Sequence, residues 1–255
     1  MLFDSHAHYD DARFDMDRIS VLESMPKNNV GLIMSACAST NDIKPIIELC
    51  ERFPYVYGSV GVHPSDCGDF SDDDVKLITQ AAAHPKIKAI GEVGLDYYYD
   101  DVPHDKQKEC FIRQIEIAKE LKMPVIIHDR EAHGDTVDIL RKTDAKSVGG
   151  VLHCFSGSVE MAKDVLDMGF YIAFGGTLTF KNARKSVEAA EYVPLDRIVL
   201  ETDAPYLAPE PLRGKRNDST LMRYVAEKLA DIKGIAVSEV ERITFENAKK
   251  CFNID

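Results

Sequence analysis

Short apolar, β-branched runs recur along this chain at intervals of roughly 25–35 residues. They read MLFDSHAH, VGLIMSAC, VYGSVGVH, IKAIGEVG, PVIIHD, GGVLHCF, FYIAFGG and RIVLETD, eight in all. Helical patterns fill the gaps between them. In DKQKECFIRQIEIAKELK, Phe111, Ile115 and Ala118 share one face and charges take the other. SVEMAKDVLDMG starts at a capping Ser158 and stops at Gly169. SDDDVKLITQAAA offers Ser71 as cap with acids in its first turn, and SEVERITFENAKKCF pairs Ser238 with Glu241 as a capping box. Strands that alternate with helices form a parallel sheet. An open doubly wound sheet would more often carry a glycine-rich phosphate loop after its first strand, and MLFDSHAHYD has none. Eight units in 255 residues therefore predict an α/β fold of one domain over 1–255, a single (β/α)8 TIM-type barrel.

Composition narrows the function classes. Hydrophobic residues make up 45% of the chain and charged residues 29%, which supplies a large core without staples. The six cysteines are scattered with no C-x-x-C pair, so reduced thiols are expected. No run is long enough for a membrane span and no secretory pattern opens the chain, so a cytoplasmic location is expected, with no membrane and no obligate protein partner. A net charge of −12 argues against a broad basic surface for nucleic acid. A nucleic-acid substrate stays open, because bound cations invert the local field of a site.

The polar residues are not scattered over the strands. His6 and His8 end the first run, His63 the third, Glu92 the fourth, His128 the fifth, His153 the sixth and Asp203 the eighth. Five of the eight histidines thus close a strand. In a barrel all these ends meet at the C-terminal rim, where barrel enzymes keep their active sites. One such histidine is ordinarily a hydrogen-bonded strand end. Four imidazoles with two carboxylates form an N/O donor set for zinc, manganese, magnesium or another divalent cation. Six donors suit two ions. Glu92 is the natural bridge, with His6, His8 and Asp203 on one ion and His128 and His153 on the other. Two cations can clamp a phosphoryl displacement and activate a water, with Asp203 placed to accept its proton. Glu92, Asp203 and His63 are therefore the candidate catalytic residues, His63 as a phosphate or leaving-group contact.

Weaker expectations surround this set. Asp96 reads as a turn cap with a substrate contact as the alternative. Asp4 and Glu201 should point into the barrel one layer below and hold ligand imidazoles by their other nitrogen. Cys154 should face the core. Arg213, Lys215 and Arg216 in LRGKRND form a basic loop that either is solvated or touches phosphate. Tyr97 to Tyr99 either stack bases or pack a loop.

Together FDSHAHYD, GVHPSD, IGEVGLDYY, PVIIHDR, LHCFSGS, LETDAPYLAP and RGKRN resemble the TatD family of metal-dependent deoxyribonucleases, in order from residue 3 to 217. The resemblance implies an amidohydrolase-like barrel with metal ligands at His6, His8, Glu92, His128, His153 and Asp203. It implies hydrolysis of DNA phosphodiesters, often as a 3′→5′ exonuclease on single strands. Glu92 stands where related amidohydrolases often carry a carbamylated lysine. One departure is Ser219, where the family pattern has proline. The alternative activity is ester or amide hydrolysis, such as removal of a D-amino acid from tRNA. A non-enzymatic adaptor ranks last, because all six donors are present.

Overall fold

The eight runs form eight parallel strands in a computed structural model that describes residues 1–255. They are β1 (Leu2–Ala7), β2 (Val30–Ser35), β3 (Val56–Val60), β4 (Ile87–Asp96), β5 (Val125–Arg130), β6 (Gly150–Leu152), β7 (Tyr171–Phe174) and β8 (Ile198–Leu200). The sheet runs β1 to β8 in chain order. The ring closes past β8: Ala7 bridges Ala204 in parallel, His8 N donates to Ala204 O, and Asp203 N donates to His6 O. This is the expected (β/α)8 barrel.

The helices are α1 (Arg18–Ser24), α2 (Ile43–Arg52), α3 (Asp72–Ala82), α4 (His104–Leu121), α5 (His133–Lys142), α6 (Val159–Asp167), α7 (Arg184–Tyr192), α8 (Met222–Lys233) and α9 (Val237–Cys251). Their apolar faces and the outward faces of the strands form one shared core, which holds Phe111, Ile115 and Ala118 of α4. Ser158 caps α6 by accepting from Met161 N, and Gly169 follows the end of that helix with φ +84°. Ser71 caps α3 in a capping box closed by Asp74. The box expected at Ser238 is absent. α9 starts at Val237, so Ser238 lies inside its first turn. Glu241 instead accepts from Asn29 Nδ2 at 2.9 and 3.0 Å and from the N-terminal amine at 3.3 Å. No helix is long and apolar enough to cross a membrane, and all six cysteines are unpaired.

Inside the barrel the base is apolar. Phe3, Met34, Ala89, Ile126, Val151, Ala173 and Val199 form one layer, closed from below by Phe252 and Ile254 beyond α9. Each strand then continues toward the mouth. With side chains alternating in and out, Ile126 puts His128 on the inside, Val151 puts His153 there, and Val199 puts Glu201 there.

Two strands break that alternation. Pairing of β1 with β2 shifts between Asp4 and Ala7, and pairing of β4 with β5 shifts between Ile90 and Val93. Irregularities of this kind re-aim side chains. Alternation from the inward Phe3 turns Asp4 away to the β8 side, and the shift beyond Asp4 brings His6 inward. Beyond Ala89 it brings Glu92 inward and leaves Val93 in the outer core. At Gly94, with φ +148°, β4 lies so close to β5 that a Cβ would collide with the His128 carbonyl oxygen.

Candidate metal centre at the barrel mouth

The structure brings His6, His8, Glu92, His128, His153 and Asp203 together, with His63 beside them. Glu92 is their centre and is only 3% exposed. Its Oε2 lies 3.2 Å from His6 Nε2 and 3.6 Å from His8 Nε2. Its Oε1 lies 2.8 Å from His128 Nδ1, 2.9 Å from His153 Nε2 and 3.8 Å from His63 Nε2. Asp203 Oδ1 sits 3.7 Å from His6 Nε2 and 3.5 Å from His8 Nε2. Asp203 lies three residues beyond β8 in a left-handed conformation, φ +58°, held by its N–H on His6 O. That backbone costs on the order of 1 kcal/mol for a residue with a Cβ.

The far side of each imidazole decides what its near side can do. His8 Nδ1 meets the Ala36 carbonyl at 3.0 Å, so it carries the hydrogen and leaves Nε2 with a lone pair facing the site. His128 Nε2 meets Asp96 Oδ2 at 3.1 Å, which leaves Nδ1 facing Glu92. His153 Nδ1 lies 3.5 Å from Glu201 Oε1. His6 Nδ1 is buried without a partner. The inward nitrogens crowd in pairs: His6 Nε2 is 3.1 Å from His8 Nε2, and His128 Nδ1 is 3.3 Å from His153 Nε2. Lone pairs this close, around one buried carboxylate, fit divalent cations well. Ligating atoms within 4.8 Å of one another occur in three groups: His6, His8 and Asp203; His63, Glu92 and His128; and His6, His153 and Glu201.

Charge follows this arrangement. Burial favours a neutral Glu92, but His153, His6 and His128 overcome it and hold the carboxyl well below its usual range. Burial opposes charge on His8, and Asp203 with Glu92 outweighs it, raising His8 to about 9, so a cation would take the Nε2 lone pair by displacing a proton. Burial, with His128 nearby, lowers His63 to about 3. His63 Nδ1 accepts the Ser65 N–H at 3.1 Å. His63 is thus a neutral imidazole that presents an Nε2–H donor to the site.

Several expectations need correction. Asp4 holds no imidazole. Its oxygens accept from Thr202 N at 2.9 Å, Thr202 Oγ1 at 2.7 Å and Ser219 Oγ at 2.6 Å, because it alternates with the inward Phe3 and the β1 irregularity beyond it breaks the i, i+2 relation with His6. Ser219 is buried, and Tyr9 Oη donates to its hydroxyl at 2.7 Å. Burial pushes Asp4 up to about 7 against the pull of Ser219 and Thr202. Glu201 Oε1 accepts the Cys154 N–H at 2.6 Å while lying near His153. Asp96 does what was expected of Asp4: one oxygen caps the turn at Tyr98 N and Tyr99 N, and the other orients His128. Its place four residues after Glu92 was the available clue. Cys154 is half-buried at the mouth, since its backbone turns left-handed at φ +45° and leaves the strand path one residue past His153. Arg216 is committed to Asp17, at 2.6 and 2.8 Å, and to the Arg13 carbonyl, so it anchors the basic loop. Tyr97 packs on His104 and donates to Asp135, whereas Tyr98 and Tyr99 are exposed.

A barrel whose mouth gathers four imidazoles on one carboxylate is that of a metal-dependent hydrolase. Comparison with known proteins agrees. The family model described as TatD related DNase matches residues 3–253. The chain is 44% identical over 255 residues to the metal-dependent hydrolase YabD of Bacillus subtilis, covering all of both chains. It is 42% identical to the metal-dependent hydrolase YcfH of Escherichia coli, across all of this chain and 96% of that one. The crystal structure of the TatD homologue YjjV from Escherichia coli superposes with a TM-score of 0.94 at 28% identity, over all of this chain and 98% of that one. The chain belongs to the TatD family.

Proposed function

We propose that the chain hydrolyses phosphodiester bonds in DNA, trimming single strands from the 3′ end, with two divalent cations at the mouth. The observation that carries this reading is the division of labour on Glu92. One oxygen faces His6 and His8, the other faces His128 and His153. His6, His8, Glu92 and Asp203 would hold one ion, and Glu92, His128 and His153 the other. When bound, the pair would polarise the phosphate and acidify a water.

The protein's own groups supply the rest. Burial raises Asp203, but His8 and its neighbours lower it further, so it is ionised at neutral pH. As the half-buried carboxylate of the set it can take the proton of the attacking water. Water oxygen bonds to phosphorus, the P–O bond to the leaving nucleoside breaks, and Asp203 returns the proton to that leaving oxygen. His63, neutral with its Nε2–H turned inward, donates a hydrogen bond to a phosphoryl or leaving oxygen without giving up the proton. Asp96 and the Ala36 carbonyl fix the ring orientations of His128 and His8.

The test uses protein purified without chelator, with metal counted by elemental analysis. It is incubated with end-labelled single-stranded DNA and, separately, with aminoacylated tRNA. About two metal equivalents and stepwise shortening from the 3′ end support the reading. Deacylation of the tRNA with intact DNA would replace it with ester hydrolysis.

A further inference from the structure

The mouth carries two exposed aromatic stations that the chemistry above does not use. After β4, Tyr98 and Tyr99 are 53% and 48% exposed, edge to face at 4.9 Å. The Arg130 guanidinium, at the end of β5, lies 3.8 Å from the Tyr98 ring centroid and 5.0 Å from that of Tyr99. After β8, Tyr206 is 39% exposed, and its ring centroid is 6.2 Å from that of His8. Arg13 lies over Tyr206 at 4.5 Å. In an eight-stranded ring, the β4/β5 edge and the β8/β1 edge face each other across the mouth.

Each station is tied to the site. Tyr98 N–H donates at 2.9 Å to Asp96 Oδ1, and Asp96 Oδ2 meets His128 Nε2 at 3.1 Å. The Tyr206 hydroxyl donates to Asp11 at 2.7 Å, which fixes the ring beside His8. Seven arginines of the chain pair with carboxylates, namely Arg18, Arg52, Arg113, Arg141, Arg184, Arg216 and Arg242. The other five lie over aromatic rings instead, and of these Arg13 and Arg130 are the two set over the exposed tyrosines of the mouth, with their charge free for an anion.

We propose that these two arginine–tyrosine stations grip single-stranded DNA on either side of the scissile bond. Bases stack on Tyr98, Tyr99 and Tyr206, and backbone phosphates meet Arg130 and Arg13. The proposal rests on the phosphodiesterase reading and adds the residues that select the strand. Charge complementarity points to this occupant, since the free cations at the rim lie where a polyanion would cross the mouth. Stacking rather than long-range attraction supplies the hold. Net charge is −12, and Asp100 and Asp101 follow Tyr99 directly. A duplex keeps its bases stacked inside itself, so it cannot use these rings. Every base has a π face, so the grip tolerates sequence.

The test measures fluorescence anisotropy of metal-loaded protein with a phosphorothioate-linked thymidine 12-mer and with an abasic strand of equal length. The thymidine strand is expected to bind about tenfold more tightly. Tyr98→Ala should erase about that factor and Tyr98→Phe should restore it. Tyr192→Ala, an exposed tyrosine on α7 away from the mouth, should leave binding unchanged. With two arginines on phosphates, log affinity should fall against log salt with a slope of about −1.4. Equal affinity for both strands, or an unchanged Tyr98→Ala, overturns the grip. If the wild type then still cleaves DNA, the phosphodiesterase reading stands without it. If the wild type cleaves no DNA, that reading fails whatever the binding shows.

Discussion

The barrel interior has two ends made by the same strands. At the base, Phe3, Ile126, Val151 and Val199 pack with Phe252 and Ile254 in an apolar layer. A few residues further along, those strands hold Glu92, His6 and His153 with almost no exposure. Burying a carboxylate costs several kcal/mol unless partners satisfy it. The mouth meets that cost with four imidazoles around one carboxylate, and it stores donor atoms that would hold cations. The base contributes cohesion and the mouth contributes reactivity, so damage at each end should separate.

The largest effect is expected at the mouth. Glu92→Gln should lower hydrolytic kcat/KM about a thousandfold, because both nitrogen groups lose their shared anion. Circular dichroism should show an intact fold, and a variant with full activity would break the proposed bridge. At the base, Phe252→Ala should cost about 3–4 kcal/mol in urea unfolding. The folded fraction should keep its wild-type kcat, since Phe252 touches nothing at the mouth. A loss of kcat there would show that the two ends are coupled.

A smaller effect probes the boundary between them. Asp4, Ser219 and Tyr9 form a buried chain of hydrogen bonds that ties β1 to the segment after β8. Ser219→Ala leaves a carboxylate and a phenol short of one partner each, at about 2 kcal/mol. Thermal unfolding reads that loss. An accompanying drop in kcat would show that the same chain positions Asp203 through Thr202.

The barrel was legible because eight β-branched runs alternate with amphipathic segments, and each residue proposed as a donor stands at or near a run's end. His128 and His153 follow simple alternation from Ile126 and Val151, while Asp203 is set beyond β8 by its bond to His6. Asp4 and His6 do not share a face as i, i+2 residues should, because a slip of pairing between Asp4 and Ala7 turns His6 inward, and no local residue type announces that slip. The same device brings Glu92 inward beside Gly91. Hydrogen bonds to partners far along the chain were equally invisible. Arg216 reads as a free cation until Asp17, 199 positions away, is placed against it.

Not every polar residue near the mouth serves reactivity. Asp74 closes the capping box of α3: Ser71 N and Oγ donate to its Oδ2 at 2.8 Å, and Thr40 Oγ1 donates to its Oδ1 at 3.3 Å. Burial alone would raise its pKa, but the Ser71 and Thr40 donors outweigh it and hold Asp74 below 3.8. A carboxyl depressed in the folded state stabilises above the unfolded pKa and loses that contribution as pH falls through the folded one. Asp74→Ala should therefore cost about 1 kcal/mol at pH 7. The gap from wild type should close as pH drops below 3.8, where the native carboxylate takes up its proton. Urea unfolding at neutral and acid pH checks both halves. A gap that persists in acid would assign the loss to packing of α3 instead of to the charged cap.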